Sequence, residues 1–170
     1  MYTAERGIKM RLGGDHSMPI AIQMVVDYVQ TMKGDDEKLV LIVGKPGSGK
    51  SKIMRELATN RGWKYVDGQI LVTPDLLELV PKTRPREAPH IMDGILAQEK
   101  AQVILLDGIQ VLFTPLLQLD PLALLKQLSK KYAIVAAWPG QYEDGKLSFL
   151  ELGQTEPYRY DAGNIKVIEL

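Results

Sequence analysis

The stretch LVLIVGKPGSGKSKIMRELATNRG, residues 39–62, decides the fold. Its first five residues are apolar and largely β-branched. The run is too short for a typical helix and lacks the alternation of a half-exposed strand, so it predicts a strand buried on both faces. From Lys50 to Asn60 the period changes: Ile53, Met54, Leu57 and Ala58 recur at helical spacing, and Gly62 supplies a stop. Between the two lies GKPGSGKS (44–51), which fits the pattern G-x-x-x-x-G-K-S/T. Composition alone would produce that pattern in roughly one chain of this length in a few hundred, and the strand before it and helix after it lower the odds further.

Each residue type in the loop has a chemical reason. Gly44, Gly47 and Gly49 let the backbone turn tightly and bring successive N–H groups toward phosphate oxygens, where the positive end of the following helix adds its dipole. Lys50 carries a cation on a flexible stem that reaches β- and γ-phosphates, and the Ser51 hydroxyl can complete the shell of a bridging magnesium ion. Lys45, Pro46, Ser48 and Lys52 complete the expected nucleotide-binding set, with Pro46 only stiffening the loop. A Gly-rich strand-to-helix turn that binds nothing explains the glycines but not Lys50 and Ser51. No N-K-x-D guanine-reading motif occurs, so ATP with Mg2+ is the expected ligand.

Such a site needs an acid at the end of a second buried strand. VILLDG (103–108) supplies Asp107, placed to hold magnesium through water; a plain Asp-Gly turn is the alternative. Gly108 stands where many ATPases have the glutamate that orients the attacking water. The nearest side chain of similar capability is Gln110, so hydrolysis should be slow or depend on a residue from a partner.

Further out, strands and helices alternate. Ser17 can cap a helix, 18–34, with Met24, Val25, Tyr28, Val29 and Met32 on one face, preceded by an irregular lead-in over 1–17. Strands are expected at 63–66, 102–107, 132–138 and 164–170. Helices are expected from Thr73-Pro74, from Pro89 to about Lys100, and from Asp120-Pro121, while Asp144-Gly145 signals a two-residue hairpin turn. The expected fold is therefore an α/β P-loop core with a mainly parallel five-stranded sheet and a C-terminal β-hairpin, in one domain over 1–170.

The chain has 170 residues, 21 Lys plus Arg against 21 Asp plus Glu, and no cysteine. Zero net charge argues against coating nucleic acid or membrane by bulk electrostatics and leaves only local basic patches. Without cysteine there is no disulfide, thiolate zinc site or thiol nucleophile. Residues 1–15 scatter charges and hold no apolar core, so neither a signal peptide nor a membrane span is expected there, and the cytoplasm is the expected location.

GKPGSGKS, LLDGIQVLF (105–113), DPLALLKQLSK (120–130), VAAWPGQYEDGKLSF (135–149) and EPYRY (156–160) together resemble the BrxF family, the small P-loop proteins of type 3 BREX phage-defence systems. The resemblance implies a compact AAA+-like ATPase working with other BREX subunits against unmodified phage DNA, with Gly49, Lys50, Ser51 and Asp107 as nucleotide and metal residues. Departures from the wider AAA+ pattern are the missing glutamate after Asp107, an apolar Trp138 where a polar γ-phosphate sensor usually stands, and no helical lid after Leu170. A homo-oligomer with nucleotide at the subunit interface is therefore expected.

Several residues carry competing readings. Arg159 lies near where AAA+ ATPases place an arginine that contacts a neighbour's nucleotide; the alternative is a surface pair with Glu156 or Asp161. PKTRPREAPH (81–90) reads as a proline-stiffened loop whose Lys82, Arg84 and Arg86 could clamp phosphate, touch DNA or contact a subunit, or as a solvated connector. With Lys126, Lys130 and Lys131, these are the local basis for duplex DNA binding. Asp67 sits where small P-loop kinases bind the acceptor, or caps a turn; phosphorylation of a nucleotide or other small molecule is the alternative function. His16 and His90 are too isolated to suggest a metal site. Strand order separates the two classes: the strands ending at Gly44 and Asp107 are neighbours in kinases, and the strand ending at Trp138 lies between them in AAA+-type ATPases.

Overall fold

The computed structural model describes residues 9–11 and 17–170. Strands β1 (Lys9–Arg11), β2 (Leu39–Val43), β3 (Lys64–Asp67), β4 (Val103–Asp107), β5 (Ala133–Trp138) and β9 (Lys166–Glu169) form one sheet in the order β1-β9-β2-β5-β4-β3, with every pairing parallel. All five residues of β2 are buried, as a strand covered on both faces requires. Helices α1 (Ser17–Thr31) and α2 (Lys50–Arg61) cover one face through Met24, Val25, Val29, Ile53, Met54 and Leu57. Against the other face lie α3 (Pro74–Glu78), α4 (Arg84–Ala97) and α5 (Pro121–Leu128), with Leu76, Met92, Leu96, Leu125 and Leu128 buried. Each such side chain removed from water contributes on the order of 1.5–3 kcal/mol before conformational entropy is counted.

Local chemistry sets the element ends. Gly62 (φ 69°) closes α2 in the left-handed region and its N–H bonds the Ala58 carbonyl. Asp120 caps α5 by accepting the Ala123 N–H at 3.0 Å. A second, antiparallel sheet comprises β6 (Gln141–Glu143), β7 (Lys146–Phe149) and β8 (Tyr158–Asp161). Asp144 (φ 52°) and Gly145 (φ 76°) make the turn between β6 and β7, both with the positive φ that two-residue hairpins favour.

The five-strand parallel core and the hairpin are as expected, and three details differ. The lead-in is not wholly irregular: Lys9–Arg11 adds a sixth strand beside β9, held by backbone pairing that a three-residue charged segment does not advertise. EPYRYD contributes β8, so the hairpin is a three-stranded sheet. α4 begins at Arg84, not Pro89, and Pro89 lies inside it, so the basic stretch is mostly helix rather than loop. The Ser17 cap and His16 lie outside the described side chains.

Strand β5 separates β2 from β4, with Val43 opposite Trp138 and Leu106 opposite Ala136. That is the AAA+-type order and not the kinase order.

Candidate functional site

The loop 44–49 leaves the buried end of β2 and turns into α2. Gly47 (φ 82°) and Gly49 (φ 106°) hold left-handed backbone, where a side chain would be strained. A Cβ on Gly44 would run into the Ser48 hydroxyl, and one on Gly49 would stand 2.8 Å from Met18 Cε of α1. The Ser48 hydroxyl is itself buried without a hydrogen-bond partner among the described residues.

Lys50 is the first residue of α2. Its ammonium donates to the Gly44 carbonyl and, at 3.4 Å, to that of Lys45, both in the loop it would serve. Burial pushes its pKa below the ordinary lysine value, opposed by the nearby Asp107 carboxylate. Ser51, one residue on, donates its hydroxyl proton to Asp107 Oδ2 at 2.6 Å.

Asp107, at the end of β4, therefore meets the phosphate loop across the intervening β5. Tyr65 on β3 also donates to its Oδ2, at 2.7 Å, and the Gly108 amide donates to its Oδ1 at 2.9 Å. Burial opposes ionisation of Asp107, but the bonds from Ser51, Tyr65 and Gly108 outweigh it and hold the pKa below the usual carboxylate value. Tyr65 carries no motif, and sequence reasoning missed it.

A divalent cation fits the donor chemistry. The Ser51 O–H donates a hydrogen bond to Asp107, leaving the oxygen's lone pairs for a metal, and both groups are hard oxygen donors of the kind magnesium takes. Among the described residues no group of three or more His, Cys, Asp or Glu could hold a metal ion.

Gly108 (φ 67°) is left-handed, and a Cβ there would lie 2.9 Å from Asp67 Oδ1. The same Asp67 oxygen accepts the Gln69 N–H at 2.9 Å and caps the 3-10 turn Gly68–Leu71. The missing glutamate thus has a steric and conformational cause, and the Asp67 carboxylate serves as a turn cap. Gln110, in the 3-10 turn Ile109–Phe113 that follows, is exposed.

Trp138 is fully buried. Its indole N–H donates to the Ser148 carbonyl at 2.9 Å, and its ring meets Phe113 and Tyr160 edge-on at 5.1 and 5.5 Å. It joins the end of β5 to the antiparallel sheet, a packing role. Arg159, opposite Ser148 in that sheet, is exposed and makes no ion pair among the described residues, neither with Glu156 nor with Asp161.

The two basic clusters part company. Arg84 is 4% exposed, and its guanidinium donates to the carbonyls of Leu76, Leu77, Leu79, Leu116 and Leu117 at 2.9–3.3 Å. That corrects its reading as a phosphate or DNA contact, because all five of its N–H donors are occupied. Arg86, His90, Lys130 and Lys131 instead line a groove of about 770 Å³ between α4 and α5, on the opposite face of the sheet from α2. Lys82 is exposed, Lys126 half-buried.

A P-loop NTPase fold of the AAA+ type is what this strand order and loop define. No protein-family model and no curated protein matches the chain. Among solved structures it is similar to AMPPCP-bound DnaA from Aquifex aeolicus, with 17% sequence identity and a TM-score of 0.41, over 74% of this chain and 39% of that one. The chain thus spans well under half of that neighbour's length, and at this identity and score the likeness adds nothing to what strand order establishes. Among the described residues no helix is long and apolar enough to cross a membrane.

Proposed function

We propose that the chain is one P-loop unit that binds ATP with Mg2+ and hydrolyses it slowly, as a nucleotide-dependent subunit of a bacterial anti-phage system of the BREX kind. The observation that carries the nucleotide reading is the Ser51–Asp107 hydrogen bond of 2.6 Å beside a left-handed, glycine-built loop. On binding, phosphate oxygens replace the loop carbonyls as acceptors for Lys50, and the loop amides turn to the β-phosphate. Magnesium, when bound, neutralises charge across the β- and γ-phosphates. Gly108 leaves no glutamate to orient water, which is why turnover is slow and completed from outside. Arg159, exposed and without an ion pair among the described residues, is the side chain suited to reach a neighbouring copy's γ-phosphate; Gln110 is the candidate for water orientation. Any duplex DNA contact would fall on the Arg86, Lys130 and Lys131 groove and would weaken steeply with salt. The BREX assignment rests on the sequence resemblance.

The test is ATPase rate against protein concentration, with and without duplex DNA. A superlinear rise that disappears in Lys50→Ala and falls in Arg159→Ala is expected. A rate strictly proportional to concentration would contradict the shared site, and undiminished turnover in Lys50→Ala would overturn the loop's role.

A further inference from the structure

Asp107 is held by more donors than the phosphate-loop motif supplies. Its Oδ2 accepts both Ser51 Oγ (2.6 Å) and Tyr65 Oη (2.7 Å), and its Oδ1 accepts the Gly108 amide (2.9 Å). A carboxylate offers about four lone-pair directions, two on each oxygen. Oδ2 is therefore filled, and one direction remains, on Oδ1.

We propose that Tyr65 is a positioning residue for the divalent cation carried with the nucleotide: with Ser51 it closes Oδ2 and directs Asp107's contact with the cation's water shell to Oδ1. The inference rests on the nucleotide reading above and adds a residue to it. Ser51 can keep donating its O–H to Asp107 while its lone pairs face a cation, so the hydrogen-bond pattern survives loading. Arg55, one turn beyond Ser51 on α2, stands with its guanidinium 5.4 Å from the Tyr65 ring centroid and holds the ring by a cation–π contact. Ser51, Asp107, Tyr65 and Arg55 thereby link α2, β4 and β3. Without the phenol, Oδ2 has a free lone pair and the carboxylate can turn away from the cation. Partners of this outer kind govern metal affinity in other sites by about ten- to a hundredfold.

The experiment measures equilibrium ATP affinity in excess Mg2+ and in EDTA, for wild type, Tyr65→Phe and Arg55→Gln. The ratio of the two affinities is the coupling between cation and nucleotide. Tyr65→Phe should lower that ratio about tenfold while leaving the EDTA affinity unchanged, and Arg55→Gln, which removes only the cation–π contact, should lower it about two- to threefold. An unchanged ratio in Tyr65→Phe, or an equal loss with and without Mg2+, overturns the inference. Should circular dichroism show Tyr65→Phe unfolded, the exposed Arg55→Gln decides alone, and an unchanged ratio there overturns it. Wild-type protein that binds no nucleotide at all overturns the functional reading and this inference with it.

Discussion

Lys50 and Arg84 are both cations at the first residue of a helix, and their donors are committed differently. Lys50 is half-buried and bonds two carbonyls, of Gly44 and Lys45, in a loop that holds two left-handed glycines, and on the proposed function a phosphate would replace them. Arg84 is buried, and all five of its N–H groups end on backbone carbonyls from α3, the segment after it, and the 3-10 turn Pro115–Leu117. Charge and position at a helix start do not distinguish a ligand-binding cation from a structural one. The number of donors left to exchange does.

The largest expected effect therefore falls on Arg84. Arg84→Ala removes a buried charge and takes a donor from five carbonyls, of which Leu76's keeps a backbone partner, the Leu79 N–H, and should cost about 3–5 kcal/mol in urea unfolding. Arg84→Lys should recover little, since an ammonium has three donors and no planar fork. A loss under about 1 kcal/mol would break the contrast with Lys50.

A smaller effect is expected further along α4. Asp93 accepts Tyr132 Oη at 2.8 Å and Lys131 Nζ at 3.2 Å, tying α4 to the segment after α5. Burial would raise its pKa, but those two donors outweigh burial and hold it below the ordinary carboxylate value. A depressed folded pKa stabilises above the unfolded pKa of about 4 and loses that stabilisation as pH falls through the folded value. Asp93→Asn should thus cost about 1 kcal/mol at neutral pH, a gap that narrows as pH falls below the unfolded pKa of about 4. A gap that widens on acidification would contradict the ion pair's direction.

The smallest effect belongs to Arg86, which is exposed and, among the described residues, paired only with its neighbour Glu87 at 3.1 Å. Arg86→Ala should change stability by less than about 0.5 kcal/mol and leave ATP affinity unaltered. A tenfold loss of ATP affinity would restore the phosphate-clamp reading that Arg84 has lost.

The glycine turn between β2 and α2 was legible because its motif ties side chains to local backbone: glycines, lysine and serine lie within eight residues of one another. Asp107 was legible as the acid ending a buried apolar run, and the strand, helix and hairpin plan followed from changes of period. Arg84 was opaque for the opposite reason. Its acceptors are carbonyls between 5 and 33 residues away, and carbonyls have no sequence signature. Pro89 misled because proline usually opens a helix or ends one, whereas here it lies within α4. Tyr65 belongs to no motif; only the alternation in KYVD, which buries Val66 on one face and turns Tyr65 to the other beside α2, hinted at its direction. β1 is three residues long and depends on β9 for its definition.

The central claim is that Lys50 holds an exchangeable anion seat. Equilibrium binding of ATP with Mg2+ to wild type and Lys50→Ala, with thermal unfolding followed on both, tests it most directly. The expected result is saturable binding by wild type, weakened at least about tenfold (1.4 kcal/mol) in Lys50→Ala, with unfolding temperatures nearly equal. Equal affinity in the two folded proteins, or no binding by folded wild type, would contradict it.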